Sequence, residues 1–333
     1  ICIGGGVFAA HAENEIRELA DLMQIPVITT MMGISVFPDD DPLFCGMIGT
    51  HGVKMANAAV NECDVLFLVG ARVGDRAVKT PLVLEKTTKI IHIDIDPAEI
   101  GKNIGADLPL VGDAKLVLQQ MTELAKPMKH DEWIAHIKTL GGERKYVEPA
   151  KGTVNPRVFI DRLAKKMPAN VTVVADVGQN QIWTCTEYKF RKEGRLLTSG
   201  GMGTMGYSVP AAIGAKMADN SRETVAICGD GAFQMSFMEL ATAVQFGVDI
   251  KVVVMTNNRL GMVRELQTNG YHDRQTAVFL DGSPDFIKLA EAYGIPAMRV
   301  YDDDTMEKGV EMLAEHKGIC LVEVVVDKDM PTL

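Results

Sequence analysis

The chain has no surplus of basic residues, few aromatic ones and no long apolar run. Lysine and arginine number 34 against 44 aspartate and glutamate, a formal net charge of −10. A nucleic-acid binder needs excess cations for its phosphate contacts, so this balance argues against one. No stretch approaches the ~18 consecutive apolar residues of a membrane-spanning helix, and the opening residues do not read as a secretory leader. The six cysteines, Cys2, Cys45, Cys63, Cys185, Cys228 and Cys320, form no C-x-x-C pair and no zinc spacing. Several stand in apolar runs, which reads as buried, reduced thiols in a cytoplasmic protein. A starting methionine is missing too. The chain opens "ICIGGGVF", already inside an apolar run, which reads as a piece of a longer protein.

What remains is ordinary globular material. The chain has 333 residues, 47% apolar and 23% charged, enough for about two buried cores. "ICIG", "PVITT", "VLFLVGAR" and "KIIHIDIDP" read as strands. Between and after them, "HAENEIRELADLM", "GVKMANAAVNECD" and "GDAKLVLQQMTELAK" have helical spacing. Strands alternating with helices imply a doubly wound parallel sheet, placed at residues 1–126. Residues 127–154 are charged and carry Pro and Gly, with one short helical pattern; they read as a linker. The pattern then restarts over 155–333, with Asn155 as a helix cap and Pro156 at the first helical position. "VTVVADVGQ", "TVAICGDG", "IKVVVMTNN" and "CLVEVVVD" read as strands. "SVPAAIGAKMA", "MSFMELATAVQFG", "DFIKLAEAYG" and "TMEKGVEMLAEH" read as helices. The fold class is α/β, two doubly wound domains with no short-period repeat.

Open parallel sheets bind ligands beyond the carboxyl ends of their strands. Asp176, Asp230 and the pair Asn257–Asn258 stand at such ends. The intervening helix brings the Gly-Asp-Gly turn and the Asn pair to one edge of the sheet. A carboxylate and an amide oxygen there suit a hard cation such as Mg²⁺, which substrate phosphates commonly complete. Gly229 and Gly231 let the turn approach a ligand, and the following helix offers N–H groups to a phosphate. Alone, Gly-Asp-Gly is equally a plain turn. The order strand, Gly-Asp-Gly, helix, strand, Asn-Asn resembles the diphosphate-binding domain of thiamine-dependent enzymes.

Longer motifs narrow the resemblance. "DVGQNQIW", "SGGMGTMGYSVPAAIGAK", "GDGAFQM" and "NNRLGMV" look like acetolactate synthase, also called acetohydroxyacid synthase. "GGGV", "TTMMG", "GMIGTHG", "GARVGDR" and "HIDIDPAEIGKN" resemble its central domain. The resemblance covers nearly the whole chain. It implies that Asp230 and Asn258 bind Mg²⁺ by side chain and Leu260 by its carbonyl. Gln179, Asn180, Gly229, Gly231, Ala232 and Thr204 would lie at thiamine diphosphate. Gly203 would accept a hydrogen bond from the aminopyrimidine, Met205 would bend the cofactor, and Met262 would approach it from a mobile segment. The reaction implied is a transfer that joins two pyruvates as acetolactate with loss of CO₂, in branched-chain amino acid biosynthesis; 2-ketobutyrate is the alternative acceptor.

In the biosynthetic branch of that family the central domain binds FAD. The matching positions are Gly4, Gly5, Gly6, Thr30, Met31, Gly49, Thr50, His51, Gly70, Ala71, Arg72, Arg76, Asp94, Asp113 and Ala114. A dimer or tetramer is implied, and a small regulatory subunit is a further partner of the family.

The chain departs from the family pattern in several places. The pyrimidine-binding domain, with the glutamate that activates the cofactor, is not among these residues, so this chain alone is expected to be inactive or nearly so. Leu266 replaces a Trp that favours 2-ketobutyrate, Asn180 replaces a usual His, and Gly74 replaces a common Asp. The chain also stops at "DKDMPTL", short of the family's usual C-terminal tail. Two alternatives stand: another thiamine enzyme, such as a glyoxylate carboligase, pyruvate oxidase or 2-keto acid decarboxylase, or a cofactor-binding chain without turnover.

Overall fold

A computed structural model of the chain describes residues 1–78, 81–142 and 146–333. The chain divides into two compact units, Ile1–Arg144 and Lys145–Leu333.

Unit 1 holds a six-stranded sheet. Its strands are β1 (Cys2–Ile3), β2 (Val27–Thr29), β3 (Phe44–Met47), β4 (Val65–Val69), β5 (Lys89–Asp94) and β6 (Leu108–Val111), in the spatial order β3-β2-β1-β4-β5-β6. Every pairing is parallel. Each face carries its own apolar layer, one built on Ile3, Val27, Val69 and Ile93, the other on Cys2, Ile28, Leu68 and Ile90. The helix Glu13–Met23 buries Ile16, Leu19 and Ala20 against the first layer, a spacing of three and four residues that gives a helix one apolar stripe. The helix Asp131–Leu140 falls where the sequence reading placed a linker. Its Ile137 is buried in the second layer with Ala56, Ala59 and Val60.

Unit 2 repeats the plan with β7 (Thr172–Ala175), β8 (Arg195–Thr198), β9 (Thr224–Gly229), β10 (Lys251–Thr256), β11 (Ala297–Val300) and β12 (Cys320–Val325), ordered β11-β12-β10-β9-β7-β8 and again all parallel. The inner strands are near-continuous Val and Ile because both faces are covered. The helix Pro156–Lys166 begins as the sequence dictates. Asn155 Oδ1 accepts from the N–H of Arg157 at 2.9 Å, and Pro156 takes the first position, where its missing N–H is harmless. Asp302 and Thr305 form a reciprocal cap on the helix Asp303–Glu315, which fixes where that helix starts.

The strand order sets where ligands can sit. In unit 2 the chain runs outward from β7 to β8, then returns to the other side of β7 for β9 and β10. The crevice between β7 and β9 is therefore a switch point of a doubly wound sheet. Five of the six free cysteines are buried and Cys63 is half-buried. Burial pushes the thiols of Cys2 and Cys185 up to about 12. Among the described residues no helix is long and apolar enough to cross a membrane.

Candidate functional site

The carboxyl ends of β7, β9 and β10 lie side by side, and a cleft opens beyond them. It encloses about 550 Å³, part of it open to solvent. Gln179, Asn180, Met205, Asp230, Asn257 and Leu260 are among its walls. Gly229, Gly231, Ala232 and Met262 complete the predicted residues that line it. Gly203 and Thr204 are exposed on the approach to Met205 and do not line the cleft; Gly203 has φ +66°.

Asp230 is the centre of the site. It is only 1% exposed. Its Oδ2 accepts the N–H of Asn257 at 3.1 Å and of Asn258 at 2.6 Å, and its Oδ1 the N–H of Gly231 at 2.8 Å. Burial pushes its carboxyl up to about 6, against the pull of those N–H donors. The Gly-Asp-Gly turn and the Asn pair are thus tied together before any ligand is considered.

The Asn pair divides. Asn257 lines the cleft and donates from Nδ2 to Gln179 Oε1 at 3.1 Å. Asn258 is exposed, outside the lining, with φ +54°. Its carbonyl accepts from Leu280 at 3.0 Å and Arg259 at 2.7 Å. The Leu260 carbonyl accepts the N–H of Arg264 at 2.9 Å, the first bond of the helix Gly261–Gly270. No backbone N–H of the described residues reaches the carbonyl of Arg259, which also lines the cleft. Arg259 itself stacks 4.6 Å over Phe279 and pairs with Asp281 at 2.9 Å.

Two further residues organise the walls. Asp176 is fully buried and accepts from the N–H groups of Val177 at 2.9 Å, Gly206 at 3.0 Å and Ser208 at 2.7 Å. It staples the loop that carries Met205 to the end of β7. Asn180 Nδ2 donates to the carbonyls of Asp176 at 2.8 Å and Ile227 at 3.2 Å, joining β7 to β9. Asp176 stands at a strand end, but the sequence alone assigns it no role, and none to Arg259 or to Trp183, whose indole N–H donates to the Pro331 carbonyl at 3.1 Å. A polar residue directly after an Ile/Val strand was the available signal for Asp176. Nothing local marked Trp183, whose partner lies 148 positions away.

Among the described residues no group of three or more His, Cys, Asp and Glu gathers to hold a metal. The cleft offers one carboxylate beside amide and carbonyl oxygens, a donor set that suits a hard cation completed by phosphate oxygens.

In unit 1 the predicted positions sit at the carboxyl ends of the strands. Gly4, Gly5 and Gly6 follow β1. Thr30 and Met31 follow β2. Gly49, Thr50 and His51 follow β3, while Gly70, Ala71 and Arg72 follow β4, with Arg76 a few residues on. Asp94 ends β5, and Asp113 and Ala114 follow β6. Arg72 and Arg76 are exposed. Asp113 Oδ1 caps the helix Ala114–Leu124 by accepting from Leu116 at 3.1 Å, and Asp94 Oδ1 accepts from Asp96 at 3.0 Å.

Comparison with known families agrees with both units. Residues 1–121 match the thiamine pyrophosphate enzyme central domain, and residues 176–324 match the C-terminal TPP binding domain of the same enzymes. The chain belongs to the thiamine pyrophosphate enzyme family. It is 40% identical over 98% of its length to a probable acetolactate synthase large subunit of Methanocaldococcus jannaschii, covering 57% of that protein. It is 36% identical to the acetolactate synthase large subunit of Lactococcus lactis, over 98% of this chain and 57% of the relative. It is 39% identical to an acetolactate synthase of Arthrospira platensis, over 98% and 58%. The chain spans about half the length of the curated relatives it matches. The cleft of unit 2 lies inside the segment matched as TPP binding.

Proposed function

We propose that the chain is the cofactor-holding part of an acetolactate synthase, which condenses two pyruvates to 2-acetolactate with release of CO₂. One observation carries the reading. The ends of β7, β9 and β10 place a nearly inaccessible carboxylate, Asp230, in a cleft with Asn257 and apolar walls. The likeness to acetolactate synthases at 36% to 40% identity supports it.

The donor set fits Mg²⁺. Asp230 would bind by its carboxylate. The amide oxygen of Asn258 would join it, with Asn257 lining the cleft beside it. Leu260, which lines the cleft, would add its carbonyl oxygen, which keeps a second lone pair beside the Arg264 N–H. Thiamine diphosphate bound there would supply the electron sink that decarboxylation of a 2-keto acid requires. The side-chain amides of Gln179 and Asn180 are spent on protein partners. Donors toward a diphosphate therefore fall to the N–H groups that open the helix Gln179–Glu187. Met205, Leu260 and Met262 narrow the cleft with apolar surface and exclude water. Gly203 and Thr204, on the loop stapled by Asp176, would face the cofactor's pyrimidine end through their backbone.

In unit 1 we propose FAD. Its supporting observation is the convergence of the matching positions on strand ends at a doubly wound sheet, with two exposed arginines for phosphate. Leu266 stands 61% exposed where a Trp would favour 2-ketobutyrate, so pyruvate is the expected acceptor. The working form would be a homo-oligomer that brings a pyrimidine-binding domain to this cleft, with or without a small regulatory subunit. By themselves these 333 residues should turn over slowly or not at all.

The test is an assay with pyruvate, thiamine diphosphate and Mg²⁺, with and without a supplied pyrimidine-binding domain. Acetolactate should appear only when that domain is added; its absence in both arms would sink the assignment. Flavin absorbance retained on purification tests FAD.

A further inference from the structure

The turn after β10 is held from one side by a short strap. Segment 278–280 runs antiparallel to residues 258–260, with Arg259 opposite Phe279. The Leu280 N–H donates to the Asn258 carbonyl at 3.0 Å, and the Leu260 N–H donates to the Val278 carbonyl at 2.9 Å. Val278 is wholly buried, which roots the strap. Its far end reaches the other half of the site. The Ser283 N–H donates to the Leu280 carbonyl at 3.0 Å, and the Ser283 hydroxyl accepts from Gln234 Nε2 at 3.1 Å, on the short helix Asp230–Gln234. A Cβ on Gly231 would meet Leu280 Cδ1 at 3.2 Å, so the Leu280 side chain lies against the Gly-Asp-Gly turn. One segment thus touches both the turn that carries Asp230 and the turn that carries Asn258.

Arg259 fastens the strap by its side chain. Its Nη1 donates to the Asn258 carbonyl at 2.7 Å and to Asp281 Oδ1 at 2.9 Å, and its guanidinium stacks 4.6 Å over Phe279. The Asn258 carbonyl therefore accepts twice, once from backbone and once from Arg259, which uses both of its lone pairs. That double hold matters because Asn258 stands at φ +54°. A residue other than glycine keeps this left-handed conformation only where its surroundings fix it. The Asn258 side-chain amide is left over. Among the described residues no protein group bonds it, whereas both ends of the Asn257 amide are taken, by Gln179 and by the Arg259 N–H.

We propose that Arg259, Phe279 and Asp281 are positioning residues for the cation site: they hold the left-handed turn at Asn258, and with it the two residues, Asn258 and Leu260, that join Asp230 there. The inference rests on the cation site proposed above. It adds that a strap remote in sequence from the Gly-Asp-Gly and Asn-Asn motifs sets how firmly the cation is held.

Two readouts separate this role from a merely structural one. The Asp281 side chain is 74% exposed, and such an ion pair contributes little to stability. Supporting groups behind metal ligands are typically worth about 10-fold to 100-fold in metal affinity. The experiment pairs thermal unfolding without ligands with calorimetric titration by Mg²⁺ at saturating thiamine diphosphate. Arg259→Met keeps the length and removes the donors. It should raise the half-saturating Mg²⁺ about tenfold and barely move the ligand-free Tm. Phe279→Leu should weaken Mg²⁺ in the same direction, and it carries the test if Arg259→Met does not fold. Phe279→Tyr keeps the ring face and should return the value to near native. Arg259→Met or Phe279→Leu binding Mg²⁺ as tightly as the native chain, whatever its Tm, overturns the strap alone. A native chain that binds no Mg²⁺ with thiamine diphosphate overturns the reading of the cleft, and the strap with it.

Discussion

Asp230 carries two opposed demands at one residue. Its oxygens receive three backbone N–H groups, yet burial disfavours its charge and lifts its carboxyl to about 6. The folded value exceeds the unfolded one of 3.8, so this group's contribution to stability is full below pH 3.8 and is lost as pH rises through about 6. A bound cation reverses that loss by favouring the charged form. The rise in Tm on adding Mg²⁺ with thiamine diphosphate should therefore be larger at pH 7.5 than at pH 5, by calorimetric scans. Asp230→Asn keeps an acceptor but loses the charge, and should abolish the rise. Asp230→Ala strands the N–H groups of Asn257 and Asn258 and should destabilise by about 1–3 kcal/mol. His92 poses the reverse case in unit 1. It is 1% exposed, and burial lowers its pKa below 6.5. The unfolded chain then takes up the proton first, so stability is present above pH 6.5 and falls as pH drops below it, toward the lower folded value. His92→Leu should flatten the fall in unit 1 stability between pH 6.5 and 5, read by denaturant titration.

At the scale of elements, the ends of β1 and β4 pack backbone on backbone. A Cβ on Gly4 would meet the Gly70 carbonyl oxygen at 2.1 Å and Ala71 Cα at 2.5 Å. Gly4→Ala would force the ends of β1 and β4 apart, and should cost at least about 3 kcal/mol, the upper end of overpacking effects. Gly74→Asp restores the residue expected from the family resemblance and meets nothing within 4 Å. It should change stability by less than about 0.5 kcal/mol, measured by the same denaturant titration. The same scale shows what a reader of the sequence can see. The inner strands β1, β2, β4, β5, β7, β9, β10 and β12 announce themselves as Ile- and Val-rich runs. β3, β6, β8 and β11 do not, and all four are sheet edges. Edge strands bury less: β6 is exposed at three of its four positions. The apolar signal is weak where only one neighbour needs it. The helices Gln179–Glu187 and Gly261–Gly270 were also invisible. Their polar residues serve the cleft and the segment 330–332 rather than an amphipathic pattern. The Gly-Asp-Gly and Asn-Asn motifs were legible, but the left-handed φ of Asn258, a matter of backbone turn geometry, is concealed by two identical letters.

For the molecule as a whole, two units with separate cores should respond to separate ligands. Thiamine diphosphate with Mg²⁺ at a hundred times its Kd should stabilise unit 2 by about 2.7 kcal/mol, seen as slowed amide exchange in β7, β9 and β10. FAD should slow exchange in β1, β4 and β5. Protection of both sheets by one ligand would contradict this division.

The strand order of unit 2 also bears on how that unit comes into being during synthesis. β12 is the last strand made, yet it lies inside the sheet, between β10 and β11. Until it leaves the ribosome, β11 has no neighbour and β10 presents an open, apolar flank. The 63 residues made between Thr256 and Cys320 must therefore wait, a delay typical of parallel sheets built from distant segments. A nascent chain stalled before Cys320 would expose that flank to any other unpaired strand. Unit 2 is thus most vulnerable to misassembly in the interval just before its final strand arrives.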